Sequence, residues 1–380
     1  MYLAFKINRG RSLLGALGIF LLSALLASSI TYAGYDDGAR YAFTASPEER
    51  SIYVIDLHKK QQVDIIQLDS VPQMISASEN LKALIVASPS VNGLILIDLM
   101  SDELNQYSYP LALSPDAIYV SPIGTVAIYD RKQQILEVHA VKRRQVLMRA
   151  ENIRSSGPFT FNLDGSTLYW VDQKAGAINA IDLWSKRQTL TLSSQQGALS
   201  ALTRSTDGLL GFISVSQENK VKVIDLRRFK QLAEIRVGSD PGRPWGTADG
   251  AYMLIPNSGD GSVTAISTST LRALYTIDTV ASPMAINPGW LDTTAAVIGE
   301  GGEIAFIDVV EGAVRQTYNL NSAPHQGVVT SDSKTLAVPV ADKGAISFFD
   351  MRERSLTHQI SGLPNDIGTA TVAVSNNLCH

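Results

Sequence analysis

Apolar and polar residues alternate in short runs along nearly the whole chain. In NKVKVIDLRRFKQLAEI, residues 219–235, an alternating run closes on Asp, passes a basic turn and starts again. GAINAIDLWSKRQTLTL and RSIYVIDLHKKQQVDIIQL repeat that layout. Such a period of two over four to eight residues predicts strands joined by tight turns. Aligned on the residue that ends each run, the repeats fall at Asp56, Asp98, Ala140, Asp182, Asp225, Ser267, Asp308 and Asp350, at spacings of 42, 42, 42, 43, 42, 41 and 42.

Within a unit the order is strand, turn, strand, turn. In the unit around 281–320, MAINPG leads to TTAAVIG, a glycine turn, IAFIDVV and VRQTYNL, which makes four short antiparallel strands. One such sheet cannot bury both of its faces alone, so it must stack on its neighbours. A four-stranded unit at a period near 42 predicts an all-β fold, an eight-bladed β-propeller. The first unit, starting at Tyr41, holds only three strands, whereas DIGTATVAVSNN, residues 366–377, is a lone β-rich segment after the eighth. The C-terminal strand is therefore expected to complete the first blade and leave the ring without an open edge.

The first 33 residues break this pattern. Lys6, Arg9 and Arg11 precede the apolar run LLGALGIFLLSALL, which leads to a small-residue cleavage site after Ala33. Residues 1–33 are read as a Sec-type signal peptide and residues 34–380 as one propeller domain. Leu13 to Ala33 is also just long enough to cross a bilayer, so an uncleaved anchor is the alternative. Either way the remainder is expected in the periplasm, with no stable membrane span after cleavage. Cys379 is the only cysteine, so no intrachain disulfide can form and stability must come from packing. With 45% hydrophobic residues and a net charge of −4, the chain has material for a large core and no basic field for nucleic acid.

NLDGSTLYWVDQKAGAINAIDL and, more loosely, SDSKTLAVPVADKGAISFFD resemble the repeats of YVTN-type propellers of exported bacterial proteins, over about residues 41–376. The eight-blade count also resembles the haem-carrying propeller of cytochrome-type nitrite reductases and their maturation relatives. The resemblance implies the fold strongly and the function weakly, because these propellers host many chemistries. No CxxCH occurs, so a c-type haem domain is absent.

Candidate chemistry is sparse. The repeated aspartates sit where a strand meets a turn and are read as acceptors for turn N–H groups. Propeller ligands meet the loops that lead into the innermost strands. In this register Gln73, Arg243, Trp245, His325, Gln326, Asn365 and Asp366 are expected near the channel mouth. His325 could ligate haem iron or be an ordinary loop histidine. Arg243 and Trp245 could hold a carboxylated, planar ligand such as a tetrapyrrole, or Trp245 could simply pack between blades. At the closure seam, Cys379 and His380 with Asp36 and Asp37 could form a soft metal site.

No motif indicates an enzyme class. The chain is expected to be a monomeric, non-enzymatic binding or accessory protein for a protein partner or small ligand in the periplasm. Its cofactor is open between haem and a transition metal. The alternatives are a tetrapyrrole-binding protein using His325 and a metal-binding accessory protein using Cys379 and His380.

Overall fold

The computed structural model describes residues 34–37, 39–101, 103–192 and 199–372. They form eight four-stranded antiparallel sheets, and in seven of them the strands follow chain order from the axis outward. The eighth sheet is built from both ends of the propeller sequence. Its strands are Gln61–Gln67, Ser51–Asp56, Tyr41–Ser46 and, innermost, Thr371–Val372. Ala42 pairs with Val372 and Phe43 with Thr371, so the expected closure by the C-terminal strand is the observed one.

Burial differs by strand position and explains the sequence pattern. The second and third strands of each blade are covered on both faces by neighbouring blades, and Ser51–Asp56 and Thr294–Gly299 are buried at every position. The outermost strands, such as Gln61–Gln67, are exposed or half-buried at nearly every position instead. Seven apolar clusters fill all eight seams between blades. Tyr129, Phe159 and Trp170 join the third and fourth blades, and Phe306 and Phe349 lie in a cluster running through the sixth, seventh and eighth. Tyr53, Ile55, Phe348, Ile367 and Ala370 close the last seam.

The repeated aspartates cap the turns between third and outermost strands. Asp182 Oδ1 accepts from the N–H groups of Trp184 and Lys186 at 3.0 and 2.9 Å, and Asp350 Oδ1 from Arg352 and Glu353 at 2.9 and 2.8 Å. Asp56 does the same for His58 and Lys59 and also receives Arg40 Nε and Nη2 at 2.9 and 2.7 Å. Burial pushes the Asp56 carboxyl up, but Arg40 and the turn N–H groups outweigh it and hold the group below its ordinary value.

A depressed folded-state pKa contributes stability above the ordinary value that is lost as pH falls through the folded one. Asp56→Asn is expected to cost about 1–2 kcal/mol near neutral pH, allowing for the part-exposed Arg40. The melting-temperature gap from the wild type should close as the pH falls below about 4. A gap that persists undiminished into acid would place the loss elsewhere than in the charge.

Candidate functional site

The loops that lead into the innermost strands gather at one end of the ring, and the turns that leave those strands gather at the other. Between them a central cavity of about 850 Å³ runs along the axis. Its lining reaches from Pro72, Gln73 and Asp366 at the lead-in end to Glu79, Asn80 and Pro122 at the far end. The innermost strands that wall it are short, only two residues at Thr160–Phe161, Thr203–Arg204, Trp245–Gly246 and Val328–Val329. Side chains from the loops therefore reach the axis directly.

Two walls have distinct chemistry. On the third and fourth blades Tyr119, Phe159 and Phe161 line the cavity, with the Tyr119 and Phe159 rings 5.6 Å apart. Burial raises the Tyr119 hydroxyl pKa, and the nearby Arg131 and Arg243 charges pull against that rise. On the fifth and sixth blades stand Arg204, buried, and Arg243, half-buried. Arg243 Nε donates to Thr203 Oγ1 at 3.3 Å, and its guanidinium lies 5.3 Å from the centre of the Trp245 ring. Aromatic rings and guanidinium groups in one lining suit a flat molecule that carries carboxylates.

Of the residues singled out by sequence, Gln73, Arg243, Gln326 and Asp366 line this cavity, and Trp245, His325 and Asn365 do not. Trp245 is buried in the cluster of the sixth to eighth blades and serves as the platform under Arg243. His325 is half-buried, its backbone N–H donating to Pro339 O at 2.9 Å. Asn365 is exposed. Asp366 has a structural task, since it accepts from Ser46 Oγ at 2.6 Å and from the Glu48 N–H at 2.7 Å across the closure seam.

Arg204 escaped the sequence reading. It pairs with Gly211 where the equivalent pairs are Phe161 with Leu168, Gly246 with Met253 and Val329 with Leu336. A lone charge in an apolar or small register was the available signal.

The donor set bears on bound iron. Among the described residues lining the cavity there is no histidine or cysteine. The one thioether, Met74 Sδ, accepts from the Ile118 N–H at 3.5 Å. These walls fit the ring and carboxylates of a tetrapyrrole but offer no imidazole to its metal. Cys379 and His380 lie outside the described residues. Asp36 stands 3.8 Å from Lys82 Nζ, and Asp37 Oδ1 accepts from the Ala39 N–H. Among the described residues no group of three His, Cys, Asp or Glu could hold a metal ion, and no helix is long and apolar enough to cross a membrane.

No protein-family model matches the chain, and no curated protein matches it in sequence. The YVTN-type resemblance thus has no matching family model beside it. Solved structures match in fold. Dihydro-heme d1 dehydrogenase NirN in complex with DHE superposes with a TM-score of 0.73 at 14% identity, over 90% of this chain and 76% of that one. Apo AztD from Citrobacter koseri gives a TM-score of 0.64 at 14% identity, over 87% of this chain and 97% of that one. Virginiamycin B lyase from Staphylococcus aureus gives 0.54 at 16%, over 74% and 95%. At these identities the likeness is one of fold.

Proposed function

We propose that this protein is a non-enzymatic binding protein, exported to the periplasm by residues 1–33, whose central channel takes a flat, carboxylated ligand of tetrapyrrole size. The observation that carries this reading is that Arg204 and Arg243 line the same cavity of about 850 Å³ as Tyr119, Phe159 and Phe161. That volume lies in the range of small-molecule sites, roughly 300–1,000 Å³. NirN, which shares this fold, is in complex with DHE, and that is in keeping with a haem-type ligand. Recognition rests on the guanidinium groups and the aromatic wall rather than on a metal ligand. Arg243 is held by Thr203 and by the Trp245 face, so its charge is positioned before the ligand arrives.

A titration with metal-free protoporphyrin IX tests this, with its dimethyl ester as the control. The free acid is expected to give a saturable shift of its Soret band. The ester should bind at least about tenfold more weakly, because the charge-assisted hydrogen bonds are gone. Equal binding of acid and ester, or no binding of either, would remove the reading.

A further inference from the structure

A second cavity, of about 450 Å³, opens between the fourth and fifth blades at the end of the ring opposite the lead-in loops. It shares no lining residue with the channel, and its chemistry is different. Asp164, Asp182 and Asp207 line it together with Lys186 and Arg227. Both cations are exposed, and neither makes an ion pair with any described residue. Opposite charges thus share one groove without bridging each other.

The carboxylates are only partly engaged. Asp182 Oδ1 receives the turn N–H groups of Trp184 and Lys186, and Asp207 Oδ1 receives the Leu209 N–H at 3.0 Å and the Ser205 hydroxyl at 2.5 Å. Oδ2 of each bonds to no described residue. The Ser166 hydroxyl and N–H hold Asp164 below the ordinary carboxylate range, so it is charged at neutral pH.

Apolar surface completes the groove. Leu163 and Leu209, 47% and 43% exposed, stand on its rim, and the Leu163 side chain lies so close over Gly208 that a Cβ there would meet it at 2.8 Å. Phe229 lies against Tyr169 inside, with ring centres 6.3 Å apart and planes 23° from parallel.

This combination discriminates among ligand classes. The three carboxylates do not converge as a metal site, since no such group exists among the described residues. They also repel a simple anion. Phe229 is half-buried and has Tyr169 against it, so only part of its ring is open for a sugar to stack on. What matches separate carboxylates, separate cations and a leucine rim is a zwitterion with an apolar body.

We infer that this groove is a second binding site, for an amphoteric ligand of the amino-acid or short-peptide class, its ammonium group on the aspartates and its carboxylate on Lys186 and Arg227. The ligand's apolar side chain rests on Leu163 and Leu209. Each end is read by charge-assisted hydrogen bonds, so both ends are required. Arg204 stands between the two cavities, lining the channel while its Nη1 lies 3.4 Å from a Cβ placed on Gly208 of this groove, so Arg243 is the residue that belongs to the channel alone.

Calorimetric titration of the full protein with L-leucyl-L-leucine tests it. Saturable binding is expected, and N-acetylation or C-amidation of the dipeptide should each weaken it by about tenfold or more. The double variant Lys186→Met, Arg227→Met should lose the same factor for the dipeptide and become indifferent to amidation, with an unchanged melting temperature. Arg243→Met, in the channel and away from the groove, should leave dipeptide binding as it was, which separates this site from the channel. Absence of saturable heat up to about 10 mM, well beyond the affinity of a built site, would overturn the assignment. So would blocked dipeptides that bind as tightly as the free one, or an unchanged affinity in the Lys186, Arg227 variant.

Discussion

A chain ending at Pro364 is expected to lose cooperative folding altogether, although it lacks only the last sixteen residues of 380. The removed segment contains the innermost strand of the first blade, Thr371–Val372, and the linker that seats it. Ile367 is fully buried and Ala370 nearly so, both inside the cluster that fills the last seam. Losing the isoleucine alone is worth about 1.5–3 kcal/mol of apolar burial.

Asp366 takes with it two hydrogen bonds to the first blade, and Thr44 Oγ1 loses the Gly368 carbonyl at 2.8 Å. Each such loss costs about 1–3 kcal/mol where a buried partner is left unsatisfied. The sum is of the order of 5–10 kcal/mol, comparable with the net stability of a typical folded domain. The truncation would also bare the edge of Tyr41–Ser46, a template for intermolecular pairing.

Insolubility or a non-cooperative thermal melt is therefore the expected result. Fusing residues 365–380 ahead of Gly34 through a short glycine linker should restore a sharp transition, because the strand is then supplied from the other end. A truncated chain that melts as the full one does would show that the seam does not depend on this strand.

The seam and its strand were readable because burial on both faces demands long apolar runs, and these recur at a fixed period. The aspartate that ends six of the eight runs was readable for a separate reason. The turn after each third strand exposes N–H groups that need an acceptor, as at Asp182 and Asp350. Even the third unit, where Ala140 replaces Asp, keeps the period, because the next turn closes with Arg144 in the left-handed conformation, at φ 51°.

The channel was harder to read. Several of its strands pair over only two residues, so no periodicity marks which side chain meets the axis. Loop position alone brought Gln73, Arg243, Gln326 and Asp366 to the cavity, and it could not separate them from Asn365, which faces solvent. For Trp245 two readings stood side by side, and packing between blades accounts for its burial while Arg243 uses the ring face. Buried His139 illustrates the same limit. Its ring sits between Glu137 at 2.7 Å, the same-face neighbour that strand alternation discloses, and the Tyr109 hydroxyl at 3.0 Å, a partner from the next blade that no local pattern discloses.

Replacing both channel arginines with methionine is expected to abolish binding of protoporphyrin IX while leaving the ring folded. Methionine keeps the length and apolar stem of each side chain, so the walls lose charge and donors rather than volume. A charge-assisted hydrogen bond contributes about 1.5–3 kcal/mol, or roughly ten- to a hundredfold in affinity for each arginine. The two stand on different blades, so their losses should add if each meets its own carboxylate.

Arg204 lies on the innermost strand of the fifth blade and Arg243 in the loop before that of the sixth. If each grips its own carboxylate, the ligand must carry two acidic groups. That requirement gives a sharper test than loss of binding alone. A porphyrin with one free acid and one ester should bind the wild type with intermediate affinity, and it should lose affinity in one single variant while being nearly indifferent to the other. If both single variants weaken the monoester equally, the arginines act as a diffuse field and not as two separate carboxylate sites. High salt would then erase most of the effect, because a field between exposed charges is screened within about 10 Å at 0.1 M ionic strength, whereas a buried pair resists it.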